Sequence, residues 1–216
     1  MTIIRVNEIY LSIQGESTWA GLACVLLRLA GCPLRCRWCD TAQARDPEAG
    51  REMSLTQVLE QVAGLDCSLV EVTGGEPLAQ EGCPELLARL CDQGYTVLLE
   101  TSGALDVSGV DPRVHLVMDI KCPGSGMSER MLWSNLERLG PGDEVKFVLA
   151  DRQDYLYARQ VIRRHGLERR CRVLLSAVAE RLDPRQVVRW MLADRLPARF
   201  QLQMHKYIWP PQTRGV

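Results

Sequence analysis

The chain reads Cys32-Pro33-Leu34-Arg35-Cys36-Arg37-Trp38-Cys39-Asp40-Thr41 directly after the apolar run 23–30. Its CxxxCxxC pattern places three thiolates in one short loop (residues 32–39, the cluster loop), and thiolates are the ligands that zinc, copper(I) and iron–sulfur clusters prefer. A structural zinc site closes with four ligands, whereas this loop offers three. A [4Fe–4S] cluster held by three cysteines keeps one iron open to a substrate or cofactor, so the pattern indicates a cluster that does chemistry rather than an electron carrier.

Apolar strand-like runs alternate with amphipathic helical stretches along the chain. Strands are predicted at 4–13, 23–29, 69–73, 96–100, 115–120, 144–149, 172–176 and 200–204, and helices at 55–63, 84–93, 129–139, 155–164 and 184–193. Such alternation with short links is typical of βαβ units and a mainly parallel sheet. There are too few units for an eight-fold barrel. We therefore expect a single α/β domain over residues 1–216, built as a partial barrel of about six strands with its helices outside.

Polar motifs follow the ends of most predicted strands. The cluster loop follows the second strand, Thr73-Gly74-Gly75-Glu76-Pro77 the third and Glu100-Thr101-Ser102-Gly103 the fourth. Asp119-Ile120-Lys121, Ser176 and His205 end three later strands in the same way. Because functional groups of a barrel gather at the carboxyl ends of its strands, we expect these motifs to surround one site.

The cysteine pattern followed by Gly74-Gly75-Glu76-Pro77 resembles the radical S-adenosylmethionine (SAM) superfamily. More narrowly, the chain resembles the 7-carboxy-7-deazaguanine synthase family in five segments: Gln14-Gly15-Glu16, Arg28-Leu29-Ala30-Gly31-Cys32, Cys39-Asp40-Thr41, Glu100-Thr101-Ser102-Gly103 and His205-Lys206-Tyr207. The resemblance covers essentially the whole chain and implies a partial (β/α)6-type TIM barrel. It also implies conversion of 6-carboxy-5,6,7,8-tetrahydropterin to 7-carboxy-7-deazaguanine with loss of ammonia, in queuosine or deazapurine biosynthesis.

The resemblance assigns one set of residues to the cofactors. Those implied to hold the [4Fe–4S] cluster are Cys32, Cys36 and Cys39, and those implied to contact SAM are Gly75, Glu76, Glu100, Ser102, Asp119, Lys121 and Ser176. The chain departs from the family pattern at 119–121, where many relatives carry Ser-Pro-Lys, and at 176–178, where they carry a Gln-Pro-type segment. Without the resemblance, residues 74–77 are equally an ordinary βα turn.

A second set is implied to face the substrate: Ile13, Gln14, Gly15, Glu16, Thr73 and His205. Taken alone, residues 13–17 read as a polar turn and His205 as a structural histidine. Thr41 is implied to contribute to a Mg²⁺ site, the alternative being a helix N-cap. Since a pterin presents two N–H donors side by side, a carboxylate matches it with two parallel bonds. The α-carboxylate of Val216, in a substrate-facing tail over 205–216, is one candidate and Glu16 the other.

Arg28 stands out because it interrupts an apolar run. A guanidinium is costly to bury without a partner. Its partner is either an internal acid or the carboxylate of the substrate, which the guanidinium fork matches bidentately.

Composition bounds the partners and the compartment. With 26 Lys+Arg against 27 Asp+Glu and no basic stripe interleaved with aromatics, nothing indicates nucleic-acid binding. No apolar run is long enough to span a bilayer. Nine cysteines, an odd count, and no export signal favour a reducing cytoplasm, with the six cysteines outside the cluster loop structural. The resemblance adds an external reductant such as flavodoxin or ferredoxin, and a homodimer.

Two rival interpretations stay open on the sequence. Another radical SAM enzyme, such as a glycyl-radical activase, has the same cysteine spacing but needs a protein partner, whereas Arg28 and the motif at 205–207 favour a small acidic substrate. A non-enzymatic iron–sulfur or zinc protein predicts a fourth cysteine nearby, and the sequence has none within reach.

Overall fold

A computed structural model describes residues 2–210 and 213–215. Within that part of the chain, nine strands form one sheet: β1 (Ile3–Ile13), β2 (Ala23–Leu29), β3 (Arg51–Ser54), β4 (Leu69–Gly74), β5 (Thr96–Thr101), β6 (His115–Asp119), β7 (Glu144–Leu149), β8 (Arg172–Ala177) and β9 (Arg199–Phe200). Their order across the sheet is β3-β1-β2-β4-β5-β6-β7-β8-β9. The helices are α1 (Leu55–Ala63), α2 (Cys83–Asp92), α3 (Arg152–His165), α4 (Pro184–Asp194) and α5 (His205–Ile208).

The direction of the strands confirms the predicted fold class. Strands β2 and β4 to β8 run parallel to one another, and the short β9 continues the parallel arrangement at one edge. At the other edge, β1 runs antiparallel to both β2 and β3. Six parallel strands with helices on one face make the partial (β/α)6 barrel. The longest α-helix in the described ranges, α3, has 14 residues. No helix in those ranges is long and apolar enough to cross a membrane.

The two faces of the sheet differ in chemistry, as period-2 alternation dictates. Side chains such as Val25, Leu27 and Val72 point outward and join one large apolar core with the helices. For example, α1 begins with a capping box between Ser54 and Gln57 and buries an apolar stripe in that core. The alternate residues of the same strands face the barrel interior. That inner face carries most of the polar side chains described below.

The helix predicted at 129–139 is wrong. The structure forms two 3₁₀ turns there, Ser128–Arg130 and Trp133–Arg138. The buried Asn135 explains the difference. Its amide donates to the carbonyls of Gly103 (3.0 Å) and Leu105 (2.7 Å) and accepts from the Val107 N–H at 3.2 Å. The segment is therefore held by a loop from elsewhere in the chain rather than by its own helical repeat.

The predicted strand at 200–204 is also largely wrong. Only Arg199–Phe200 pairs with β8, and residues 201–204 leave the sheet to contact the segment after β1. His205 begins α5 instead of following a long strand. The sequence interpretation also missed β3, a four-residue edge strand that pairs with β1.

Candidate active site

The cluster loop leaves the carboxyl end of β2 and is anchored on two sides. The Cys32 N–H donates to the Arg45 carbonyl at 3.1 Å, and the Arg45 guanidinium donates to the Cys36 carbonyl at 2.9 Å. On the other side, the Arg37 N–H donates to the Ser125 carbonyl at 3.1 Å. These bonds fix the backbone of the loop, and its three cysteine side chains are free thiols that are partly exposed.

The three cysteines fit a four-iron cluster better than a single metal ion. Among the described residues, no three His, Cys, Asp or Glu side chains converge closely enough to hold one ion. A [4Fe–4S] cluster takes each thiolate on a different iron, so it needs a spread set. Burial raises the pKa of the Cys32 and Cys36 thiols, and Lys121 opposes that rise at both. A nearby cation favours the thiolate form that a cluster requires.

Gly74, the last residue of β4, and Gly75, which follows it, bring the end of β4 against the residues that lead into the cluster loop. The Gly75 N–H donates to the Leu29 carbonyl at 3.0 Å, and the Glu76 N–H donates to the Gly31 carbonyl at 2.8 Å. A Cβ on Gly75 would lie 2.2 Å from the Gly31 oxygen, and one on Gly74, whose φ is 143°, would lie 2.2 Å from the Leu29 oxygen. Only glycine allows this approach, which joins the two segments predicted to hold the cluster and SAM.

Glu76 is fully buried, and its carboxylate ties the end of β4 to the end of β5. It accepts hydrogen bonds from the Thr101 hydroxyl (2.9 Å), the Ser102 N–H (2.7 Å), the Ser102 hydroxyl and the Leu78 N–H (3.2 Å). The side chains of Glu76 and Ser102 are thus engaged with each other. Their contact with SAM stays a prediction.

A buried lysine lies at the centre of the barrel interior. The Lys146 ammonium on β7 is 2.8 Å from a Glu16 oxygen, bonds a Glu100 oxygen, and lies 3.9 Å from an Asp119 oxygen. On the cluster side, Lys121 pairs with Asp119 at 2.8 Å. Three carboxylates and two ammonium groups, drawn from four separate segments, therefore form one charged network at the place where the sequence predicts cofactor and substrate.

A carboxylate pair lies beside this network. The buried Glu71 accepts a hydrogen bond from the Gln14 amide, and Glu100 accepts one from the Thr73 hydroxyl at 3.1 Å. Burial and the neighbouring Glu100 raise the pKa of Glu71 to about 8. Burial also acts to raise the pKa of Glu100, but Lys146 outweighs it and holds that pKa at about 2. One carboxyl of the pair is thus favoured neutral and the other ionised, as expected for like charges in close contact.

Arg28 has an internal acid as its partner. Its Nε donates to Glu8 at 3.2 Å and one Nη to the Tyr10 hydroxyl at 3.4 Å. The register between β1 and β2 places Glu8 directly opposite Arg28. This is the first of the two alternatives left open by the sequence, while the contact with a substrate carboxylate stays a prediction. The other Nη makes no hydrogen bond to any described residue, so a second partner has a donor available.

The segment after β1 reaches the interior from the side opposite the cluster loop, because β1 is antiparallel to β2. The stretch that follows β9 lies along it. The Met204 N–H donates to the Gly15 carbonyl at 2.9 Å, and the Gln203 amide donates to Glu16 at 2.7 Å. A Cβ on Gly15 would lie 2.4 Å from the His205 Nδ1. Gln14, Gly15, Glu16 and His205 are therefore brought together, as the sequence predicts for a substrate-facing wall.

Three further candidates, Thr41, Asp119 and Ser176, have side-chain oxygens that the scaffold does not fully use. Thr41 occupies the N-cap position of the 3₁₀ turn Ala42–Ala44, in line with the alternative of an N-cap or turn, but its hydroxyl makes no capping bond there and lies 3.8 Å from the Cys39 sulfur. The buried Ser176 hydroxyl and one buried Asp119 oxygen find no hydrogen-bond partner. Orphaned buried polar atoms call for a ligand, which fits SAM. Ile13 ends β1, and Val216 lies outside the described residues.

Sequence interpretation missed Glu71, Lys146 and Gln203. The signal for the first two was present, because each is a charged residue inside an apolar strand, just as Arg28 is. The cost of burying an unpaired charge applies equally to all three. Gln203 gave no such signal, since it lies in the stretch wrongly predicted to continue the last strand.

Comparisons with known proteins identify the family and the fold. Residues 27–118 match the model of the radical SAM superfamily. A protein from Chlorobaculum tepidum named 7-carboxy-7-deazaguanine synthase is 47% identical, over 99% of this chain and 97% of its own length. One of the same name from Koribacter versatilis is 41% identical, over 99% and 100%. The crystal structure of QueE from Escherichia coli, 22% identical, superposes with a TM-score of 0.78 over 94% of this chain and 95% of its own, which shows a shared fold.

The match to the named relatives runs from one end of the chain to the other. It is not confined to the CxxxCxxC region that all radical SAM proteins share, and neither rival interpretation predicts it. At this identity and coverage, the chain belongs to the 7-carboxy-7-deazaguanine synthase family of radical SAM enzymes.

Proposed function

We propose that this chain converts 6-carboxy-5,6,7,8-tetrahydropterin to 7-carboxy-7-deazaguanine with loss of ammonia, a step that serves queuosine or deazapurine biosynthesis. The proposal rests on one observation: the segment predicted to hold the cofactors and the segment predicted to hold the substrate meet in the same barrel interior. On one side, Leu29 and Gly31, which directly precede the cluster loop, are bonded to the Gly75 turn, and on the other side Glu16 enters the charged network of the interior through Lys146. Relatives that bear the name of this activity match nearly the whole chain.

In this proposal Cys32, Cys36 and Cys39 hold a [4Fe–4S] cluster. When bound, the reduced cluster and SAM together supply a 5′-deoxyadenosyl radical that removes a hydrogen atom from C6 of the pterin. The protein orients the reactants and excludes water. The unpartnered oxygens of Asp119 and Ser176 are available to hold polar groups of SAM.

The substrate side is proposed to bind the pterin by its polar edges. Gln14, Glu16, Thr73 and His205 offer amide, carboxylate, hydroxyl and imidazole groups from segments that meet in the interior. The uncommitted Nη of Arg28 is available to the substrate carboxylate, for which a guanidinium is suited. The α-carboxylate of Val216 is proposed to share with Glu16 the two adjacent N–H donors of the ring.

Three further elements of the proposal rest on individual features. Thr41 is proposed to contribute one oxygen to Mg²⁺, which commonly binds through few protein ligands plus water and substrate groups. Arg35 and Arg37, exposed on the cluster loop and in no ion pair with a described residue, suit an acidic electron donor such as flavodoxin or ferredoxin. A cytoplasmic homodimer is also proposed. The exposed Leu192 and Tyr207 are apolar surface that a second copy of the chain would cover, and light scattering would test for the dimer.

The activity is tested by one anaerobic assay. The reconstituted protein is incubated with SAM, Mg²⁺, dithionite and carboxytetrahydropterin, and the products are identified by mass spectrometry. We expect 7-carboxy-7-deazaguanine as the product. Because the pterin loses only ammonia, the conversion is redox-neutral and the hydrogen atom removed from C6 is returned, so the deazaguanine should form in excess over 5′-deoxyadenosine. Formation of 5′-deoxyadenosine without the deazaguanine would refute the proposed substrate.

Variants of the cluster loop test the proposed ligands. Cys32→Ala, Cys36→Ala and Cys39→Ala should each abolish the visible absorbance of the cluster and SAM cleavage. Cys91→Ala, which alters a cysteine outside the loop, is the matched control and should keep both. Full iron content in any of the first three would contradict the assignment.

A further inference from the structure

Within the described residues, Lys146 is the one charged group of the interior that contacts acids from three different segments. Its side chain is only 4% exposed, and its ammonium meets Glu16 from the loop after β1, Glu100 from β5 and Asp119 from β6. Burial by itself would lower the pKa of Lys146, but the three carboxylates reverse this and raise it well above its usual range. The lysine therefore stays charged, and its charge is shared.

The partners of Lys146 lead to opposite sides of the site. Glu100 is bonded to Thr73, near the turn that meets the cluster loop. Glu16 is bonded to Gln203, and the adjoining Gly15 contacts His205 on the proposed pterin wall. Glu16 belongs to a loop rather than to a strand, so its direction is set by these side-chain bonds. Among them, the bond from Lys146 is the charged one, and it comes from β7, a strand that is paired on both sides in the sheet.

We propose that Lys146 is a positioning residue for the substrate: it holds the Glu16 carboxylate in place to accept the adjacent N–H donors of the pterin ring. The inference rests on the proposed function, since it takes the pterin as the ligand of Glu16. A carboxylate that accepts two parallel hydrogen bonds must have a defined orientation. If the carboxylate is ordered only when the ligand binds, the free energy needed to order it weakens binding. A buried ammonium at 2.8 Å supplies that orientation.

The charges around the pair explain why a neutral residue could not replace the lysine. Glu16, Glu100 and Asp119 bring three carboxylates into one interior, beside Glu71, whose raised pKa favours its neutral form, and Lys121 is already bonded to Asp119. Without Lys146, Glu16 would face like charges with only the Gln201 and Gln203 amides as donors. Repulsion would turn its carboxylate away from the interior.

The test is a double-mutant cycle on pterin binding. Lys146→Met, Glu16→Gln and the double variant are prepared with cluster and SAM bound but without reductant, so that nothing turns over. Calorimetry then gives the Kd of carboxytetrahydropterin, and circular dichroism checks the fold. Residues that act through one another are not additive in such a cycle. Arg159→Met, which removes a distant ion pair with Asp194, is the matched control and should leave the Kd unchanged.

We expect Lys146→Met to raise the pterin Kd by at least about tenfold in the wild-type background, the size typical of breaking a desolvated charge pair. In the E16Q background the same substitution should change it less than about twofold. An equal loss in both backgrounds, or no loss in the first, would overturn the inference. If Lys146→Met does not fold, Lys146→Gln, which keeps a hydrogen-bond donor but not the charge, is tested in the same two backgrounds against the same criterion.

Different results would overturn the proposed function and the role of Lys146. A wild-type protein that binds the pterin but forms no deazaguanine would overturn the proposed function, and the binding cycle would still decide the role of Lys146. A wild-type protein that does not bind the pterin would overturn both.

Discussion

Replacing Glu76 should destabilise the fold more than any exposed acid would. The carboxylate is fully buried and accepts from two backbone N–H groups, those of Leu78 and Ser102, besides two hydroxyls. Hydroxyls can turn to other acceptors, but backbone N–H groups cannot. A hydrogen bond to a charged group is worth about 1.5–3 kcal/mol, so losing two gives a gross cost of about 3–6 kcal/mol. Removing a buried charge offsets part of this, which leaves an expected loss of about 2–4 kcal/mol for Glu76→Ala.

Urea unfolding followed by circular dichroism measures this loss. Glu76→Gln keeps the shape and one acceptor oxygen, so it should lose about half as much as Glu76→Ala. Glu52→Ala removes an exposed acid paired with Arg5 and should change the free energy of unfolding by less than about 1 kcal/mol. A Glu76→Ala protein as stable as the Glu52→Ala control would refute the argument that this carboxylate joins the ends of β4 and β5.

Three shorter predictions concern the substrate side. Gly15→Ala should raise the pterin KM at least about tenfold, because the added Cβ would displace the His205 ring. The control Gly109→Ala adds a Cβ that would meet nothing within 4 Å and should leave the KM unchanged. Equal KM values for the two variants would refute the contact between Gly15 and His205. Thr41→Ala should raise the Mg²⁺ concentration needed for half-maximal rate while cluster absorbance is retained; an unchanged Mg²⁺ titration would exclude the ligand role. A tag added after Val216 should raise the pterin KM with SAM binding unchanged, and a tagged enzyme with the normal KM would remove the tail from the site.

Much of the architecture could be predicted because local signals agree with the tertiary fold. The apolar runs that became β2 and β7, and the amphipathic stretch that became α1, were predicted with the bounds they have in the structure. Each is flanked by turn or capping residues that mark its ends. The stretch 129–139 failed because Asn135 bonds a loop that is distant in sequence. No local pattern encodes that contact.

The candidate site likewise has features that the sequence predicts and features that it does not. Which residues face the interior follows from alternation along the strands, and the same argument that singled out Arg28 would have found Lys146. Which acid pairs with Arg28 could not be predicted. That pairing depends on the register of β1 against β2, and the register shifts at a bulge between Val6 and Glu8. A shift of one residue would place a different side chain opposite the guanidinium.

The contact between residues 14–17 and 201–205 has a consequence for how the enzyme is made. A chain emerges from the ribosome from its amino end, and early parts fold first. The cluster loop and its supports at 44–45 and 74–76 are translated in the first half of the chain and its support at Ser125 soon after the midpoint, whereas Gln203 and His205 come near the end of the sequence. The pterin wall is therefore the last part of the interior to be completed during synthesis. We expect a nascent chain to acquire its metal pocket well before it can hold substrate, which separates cluster insertion from substrate binding in time.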